Sequence, residues 1–345
     1  MSATHDSTPD EIYESDHKMK TALVFGTGSI GIMYTMILER AGVEVTCVCR
    51  SNYSAARKSG FRVESTIFGH KTFRTKVVQS VSEAVQDDQR FDFVIMATKS
   101  LPSTSGALVS AISPALKHKE TALIIMSNGI GVEDVYHSAF PQNTILSAVT
   151  YMPTVQVAPG VVLHQEIERL HVGTYPSCTE TLFQRETLDV FAEAIKRGGG
   201  TCIVHEDVQA ERWKKLVANA VWNPICALTR CTDMQFLEAN VASRRFVSET
   251  MAEVVNVAAA VGYGDHVTLD TVDMQMNRVK FRTWPGVRPS MLVDMEVGRR
   301  MEVQAIIGEV VELGYKYKLS TPNLTALNVL IAGLDWALSN NKSAD

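Results

Sequence analysis

Over the first 150 residues, short unbroken apolar runs alternate with stretches whose apolar residues recur at helical spacing. TALVFG (21–26) is a continuous run of the kind a parallel strand buried on both faces requires. The turn TGSIG follows, and then Met33, Met36, Ile37 and Leu38 mark a helix that closes at Ala41–Gly42. VEVTCVC (43–49), FDFVIMAT (91–98), TALIIMS (121–127) and NTILSAV (143–149) repeat the strand pattern, and a helix is predicted over 101–117. Strands alternating with helices in this way predict a parallel α/β sheet.

The pattern changes over 151–205. YMPTVQVAPGVVLHQEIERLHVGTYP carries Pro and Gly punctuation with β-branched alternation, which predicts a small antiparallel addition at the sheet edge. A helix is expected over 180–197 and a last strand at TCIVH (201–205). Beyond Glu206 nearly everything reads helical, with segments 207–230, 240–262, 267–280, 290–316 and 322–339. The expected organisation is a flexible tail (1–20), a parallel-sheet domain (21–205) and an all-helical domain (206–345), with no internal repeat.

Composition narrows the class. The chain has 345 residues, 46% hydrophobic and 21% charged, enough apolar material for two packed domains. Its net charge of −5 and the lack of a basic stripe argue against nucleic acid as a partner. No apolar stretch approaches the ~20 residues that span a bilayer, so no membrane association is expected. Six cysteines (Cys47, Cys49, Cys178, Cys202, Cys226, Cys231) show no C-x-x-C spacing and read as reduced core thiols. Residues 1–20 are polar and acidic without an apolar leader, and Ser343–Ala344–Asp345 is no peroxisomal address, so a cytoplasmic location is expected.

The loop Gly26–Thr27–Gly28–Ser29–Ile30–Gly31 is a G-x-G-x-x-G placed between a buried strand and a helix. Its first glycine permits a tight turn, its second lets a pyrophosphate approach the backbone, and its third allows close helix–strand packing. The free N–H groups at the helix start then hold the anion. This predicts a Rossmann-type dinucleotide site. The second strand runs out into Arg50–Ser51–Asn52 with no Asp or Glu, and a guanidinium there suits a ribose 2′-phosphate, so NADPH/NADP is the expected cofactor. Lys99 and Asn128–Gly129 follow the third and fourth predicted strands directly, where ligands bind in open α/β sheets. Lys99 is placed to meet a cofactor phosphate or ribose, and Asn128 the nicotinamide or the substrate.

In ERWKKLVANAVWNPICAL (211–228), Lys215, Asn219 and Asn223 are spaced i, i+4, i+8 and share one face of an otherwise apolar helix. Leaving such groups buried and unpaired costs about 1–3 kcal/mol each, which a polar cavity would avoid. An ammonium in that cavity can give a proton to an oxygen gaining negative charge, as when a hydride reaches a ketone. A carboxylate is expected to hold it. Glu296, Glu302, Glu309 and Glu312 are candidates that spacing does not separate. Ser290, after Pro289, is expected to cap the helix that follows or to grip a substrate carboxylate. On one continuous helix, Glu302 would lie about 18 Å farther along and roughly 120° around from Ser290.

These residues resemble the ketopantoate reductase (2-dehydropantoate 2-reductase) family from Thr21 to the end of the last helix. GTGSIG, ATK, NG, WKKLVANAVWNP, RPSM…GRRMEV and ELGYKYKLSTP occur in order. The resemblance implies a Rossmann-type domain, a helical domain like the C-terminal part of 6-phosphogluconate dehydrogenase, and a site between them. It makes Lys215 the general acid and selects Glu302 as the carboxylate that positions it and contacts the substrate oxygen. Asn219, Asn223 and Ser290 would bind substrate, and Asn128 would bridge cofactor and substrate. The glycines would cradle the pyrophosphate, with Arg50 on the 2′-phosphate and Lys99 on the cofactor.

The chain departs from the family pattern where Asp233 and Val287 stand in place of two further asparagines. Asp233 would add an anion near an anionic substrate, Val287 would remove a contact to its hydroxyl, and Arg288 would be a replacement contact. The expected reaction is NADPH-dependent reduction of a branched 2-oxo acid, ketopantoate to (R)-pantoate being the leading case. A 2-ketoisovalerate-like substrate, a 3-hydroxy acid dehydrogenase and a non-catalytic NADPH sensor are the rivals. No metal is expected, since His164 and His171 lack partners at ligand spacing. A homodimer through helices 240–262 and 290–316 is possible on their length alone.

Overall fold

The computed structural model describes residues 19–101, 104–177 and 180–340. Residues 1–18 of the expected tail (1–20), Cys178 and the final Ser343–Ala344–Asp345 lie outside the described residues. In chain order the elements begin β1 (Thr21–Phe25), α1 (Ser29–Arg40), β2 (Glu44–Val48), α2 (Tyr53–Ser59), β3 (Phe61–Ser65), β4 (Gly69–Phe73), β5 (Lys76–Val78) and α3 (Val81–Ala84). Then come β6 (Phe93–Met96), α4 (Ser105–Ile112), β7 (Ala122–Ile125), α5 (Asp134–Ala139), β8 (Ile145–Tyr151), β9 (Thr154–Ala158), β10 (Val161–His164), β11 (Arg169–Tyr175), α6 (Leu182–Arg197) and β12 (Cys202–Val204). Helices α7 (Gln209–Thr229), α8 (Asp233–Ala239), α9 (Ser243–Ala258), α10 (Leu269–Lys280), α11 (Ser290–Glu296), α12 (Glu309–Lys316) and α13 (Pro322–Asn340) complete the chain.

The main sheet has the order β12-β11-β8-β7-β6-β1-β2-β5. Its pairs are parallel from β5 to β8, and β11 then runs antiparallel to β8. β1, β6 and β7 are buried along nearly their whole length, which is why they read as unbroken apolar runs. The antiparallel addition expected over 151–205 is only partly at this edge. β9 and β10 leave it and join β3 and β4 in a separate sheet, β4-β3-β10-β9. β4 is mostly exposed, so hydropathy gave no sign of the hairpin that receives them.

In the helical part, α7 is buried over most of its surface, and Trp213, Val217, Ala220 and Val221 pack with Val247, Met251, Ile306 and Ile331. The predicted helix 290–316 is not continuous. α11 ends at Glu296, Gly298 takes φ +64°, and the chain runs extended to a π turn at Gln304–Gly308 before α12. Asp335 of α13 pins the crossing, accepting from Arg300 Nε at 2.7 Å and Met301 N at 2.8 Å. No helix among the described residues is long and apolar enough to cross a membrane.

Candidate active site

The glycine loop shows three different environments. Gly26 has φ +103°, and a Cβ there would overlap the Ala97 carbonyl. A Cβ on Gly31 would overlap the Gly26 carbonyl. At Gly28 nothing lies within 4 Å of where a Cβ would project. No side chain caps α1, so its first N–H groups face this opening. Asn52 Nδ2 donates to the Thr27 carbonyl and Thr27 Oγ1 to Cys49 Sγ at 3.3 Å, which ties the loop to the end of β2. Ser29 and Ile30 form the first turn of α1, and Arg50, two residues past β2, is exposed. Thr98 Oγ1 is buried without a partner against Gly26. The cradle fits a dinucleotide pyrophosphate.

Lys215 projects from α7 toward the C-terminal ends of β7 and β8. Its Nζ donates to Asn128 Oδ1 at 2.8 Å and to the Thr150 carbonyl at 2.6 Å. An ammonium has three N–H bonds, so one remains beyond these two, and Lys215 helps to line a small pocket with Ser127, Asn128, Val149, Leu216 and Asn219 among others. Burial, reinforced by the Arg212 guanidinium and opposed by Glu302, pulls the lysine pKa down to about 8.

Glu302 and Lys215 make no direct ion pair, contrary to the expectation that the carboxylate holds the lysine. Asn128 stands between them, with Nδ2 donating to Glu302 Oε2 at 3.3 Å. Glu302 also accepts from Ser100 N at 2.9 Å. It is 7% exposed, and burial raises its pKa against these two donors. It stands in the extended crossing after α11, so the continuous-helix estimate of its position fails.

Lys99 reaches across the same seam, donating to the Arg300 carbonyl at 2.8 Å and pairing with Asp294 at 2.6 Å. Gly129, at φ +96°, touches the Ala305 backbone so closely that a Cβ would overlap it. Ile130 N donates to the Ala305 carbonyl at 3.1 Å beside that contact.

Two functional neighbours of Lys215 escaped the sequence reading. Arg212, 3% exposed, pairs with fully buried Glu133 at 2.6 Å and donates to the Ser127, Gly129, Ile125 and Ala148 carbonyls. It clamps the strand ends to α7 one turn before the lysine, and its place at i−3 on a buried helix was the available signal. Tyr151 closes β8, with its ring 5.5 Å from the Lys215 ammonium and its hydroxyl donating to Glu211 at 2.9 Å. Nothing in the β-rich sequence around Tyr151 marked it.

The polar face of α7 is divided in its use. The Asn219 side-chain amide has no protein partner among the described residues and lines the pocket with Lys215. Asn223, 3% exposed, accepts from Ser290 Oγ and Met291 N, both at 3.1 Å. The cap expected of Ser290 is therefore supplied by Asn223. Pro289 occupies the N-cap position and Ser290 is the first helical residue. A larger groove of about 700 Å³, lined by Leu319, Pro322, Val329 and Leu330 among others, contains no charged residue and lies apart from this chemistry.

The chain as a whole has counterparts among known proteins. The description Ketopantoate reductase PanE/ApbA matches residues 22–177, and Ketopantoate reductase PanE/ApbA C terminal matches 207–335. The crystal structure of 2-dehydropantoate 2-reductase from Methylococcus capsulatus is 30% identical, covers 93% of this chain and 98% of its own, and superposes with a TM-score of 0.80. This chain belongs to the ketopantoate reductase family. A 2-dehydropantoate 2-reductase of Mesorhizobium japonicum is 28% identical over 90% of the chain and 96% of its own length. An uncharacterized protein of Saccharomyces cerevisiae is 25% identical over 94% and 96%. As a member of this family of nicotinamide-dependent oxidoreductases, the reductase acts on CH–OH groups.

One of the reductase's departures from the family pattern, and the replacement contact suggested beside it, lie differently from expectation. Asp233 does not present a free anion to substrate. It is fully buried, paired with Arg282, and accepts from Met234 N and Val287 N, both at 2.8 Å. Arg288 is paired with Glu296. The histidine reading also needs correction. His164 is a buried core histidine bonded to Ser65 Oγ at 2.8 Å, but His171 lies beside His205 and Glu211. The partners missing from its sequence neighbourhood are supplied by the fold.

Proposed function

We propose that the reductase uses NADPH to convert a short branched 2-oxo acid into the 2-hydroxy acid, with ketopantoate to (R)-pantoate, a step of pantothenate biosynthesis, as the leading case. The observation that carries this is a buried lysine with two hydrogen bonds made and a third N–H left over, at a small pocket that Asn128 and Asn219 also line. The division of the chain at residue 205 puts the cradle in one unit and the lysine in the other. Gly26 to Gly31 would hold the pyrophosphate, Arg50 the 2′-phosphate, Lys99 would turn from Asp294 and Arg300 to a cofactor phosphate or ribose, and Asn128 would stand nearest the reacting end. When bound, the dihydronicotinamide supplies the hydride.

Lys215 orients the carbonyl oxygen by its open N–H and gives it the proton as negative charge builds there. Asn128 fixes the ammonium by accepting from it and links it to Glu302, whose charge sustains the protonated form. Asn219 offers its amide to the substrate, and Asn223 and Ser290 shape the far wall by locking α11 onto α7. Val287 favours the second reading, a 2-ketoisovalerate-like acid, because an aliphatic side chain offers no hydrogen bond to a substrate hydroxyl.

The test is kcat/KM for ketopantoate and 2-ketoisovalerate with each nicotinamide cofactor. Ketopantoate with NADPH should lead, and Arg50→Ala should lower NADPH efficiency at least about tenfold while sparing NADH, as expected for a lost charge-assisted bond. A preference for 2-ketoisovalerate transfers the assignment to the second reading. The pH profile tests the proton donor separately. Lys215 carries its proton below about pH 8. Reduction should therefore be level below that pH and fall about tenfold per unit above it, and oxidation of the hydroxy acid should rise in mirror image. A reduction profile flat to pH 10 would remove Lys215 from the proton-donor role.

A further inference from the structure

At the far edge of the main sheet lies a cluster that the reduction does not use. β11 and β12 are parallel, with His171 opposite Ile203, so His205 emerges beside His171 just past the end of β12. The His205 N–H donates to the Val172 carbonyl at 2.9 Å, which sets the direction of the chain there. α7 begins four residues later and brings Glu211 against both rings. His171 Nδ1 and His205 Nε2 are 2.7 Å apart, and His171 Nδ1 is 4.0 Å from Glu211 Oε2. One ligand atom from each residue lies within 4.8 Å of the other two.

We propose that His171, His205 and Glu211 form a binding site for a divalent transition cation of the zinc type. Two imidazole nitrogens and a carboxylate oxygen suit such a cation, with water completing a tetrahedron. At Zn–N distances of about 2.0–2.1 Å the two nitrogens would stand roughly 3.3 Å apart, so the imidazoles part slightly and the carboxylate closes in. Burial holds the His171 pKa down to about 4 and lowers that of His205 as well, which favours the neutral, ligating form of each ring. The ring that donates in the His171–His205 bond shifts to its other tautomer when both nitrogens ligate.

Tyr151 donates to Glu211 Oε1 at 2.9 Å, which orients the carboxylate and leaves Oε2 for the cation. The Lys214 ammonium, now 3.8 Å from Oε2, is on a side chain exposed enough to turn into solvent. Arg169 and Asp207 are the other charges acting on the two imidazoles. A cation here would fasten the last two strands to the first turn of the helix that carries Lys215. Its role would be that of a clip, independent of which oxo acid the enzyme reduces.

The test is Co²⁺ titration of tag-free, chelator-stripped full-length protein, read by the visible d–d bands of the bound ion. One equivalent should bind, Zn²⁺ should displace it, and Tm should rise by roughly 5 °C at hundredfold saturation. His205→Ala and Glu211→Gln, both checked for native circular dichroism, should lose that equivalent. His70→Ala, at an exposed histidine on β4, should keep it. Glu211→Gln preserves side-chain volume and an acceptor for Tyr151, which guards against loss by misfolding. Binding only at large excess, or binding that survives in both variants, would mean an adventitious ion only and overturn the site.

Discussion

Replacing Lys215 with alanine lowers hydride transfer to the oxo acid at least about 100-fold, the usual share of a general acid, while NADPH binds as before. The two effects separate because the lysine touches Asn128 and Thr150 rather than the glycine cradle. Single-turnover loss of nicotinamide absorbance measures the first, and fluorescence titration of the dinucleotide measures the second. The same variant decides against a sensor, which has no use for a proton donor. Unchanged turnover in Lys215→Ala would end the proposed mechanism, whatever the substrate.

Arg212→Ala destabilises the fold by about 3–5 kcal/mol, the cost of stripping one partner from a buried ion pair. Glu133 is fully buried, and its Oε2 already lacks a partner, so the loss leaves a carboxylate that water cannot reach. The backbone carbonyls of Ile125, Ser127, Gly129 and Ala148 each lose a donor in the same change. Removing the carboxylate as well, in Arg212→Met with Glu133→Leu, should restore only part of the stability, because those carbonyls do not regain the Arg212 donors. Urea denaturation of the two variants reads both numbers. A single variant within 1 kcal/mol of the parent would show that the clamp carries no weight.

What the sequence made legible follows from burial on two sides. β1, β6 and β7 are enclosed between helices, so their apolar runs could hardly mean anything else. Lys215 and Asn219 stood out as polar groups on a helix with no polar face to spare. The segment 290–316 misled because its apolar spacing carries on through Val297–Gly298, where the backbone turns at positive φ. Spacing along a helix then had no bearing on Glu302, and only the family resemblance selected it. Arg212 escaped notice because a guanidinium that bonds to backbone carbonyls leaves no partner pattern in the sequence. His171, His205 and Glu211 are joined by strand register and by a helix start, neither of which follows a fixed interval along the chain.

Where Gly129 meets Ala305, the two halves of the enzyme touch main chain to main chain, with no side chain between them. A gap set in this way does not depend on which residues line the rest of the crevice. Mutations can then exchange the walls for larger, smaller or more polar ones while donor and acceptor stay in register. Such a seam lets one catalytic geometry serve enzymes of differing appetite, and it leaves Gly129 no room to take on a side chain.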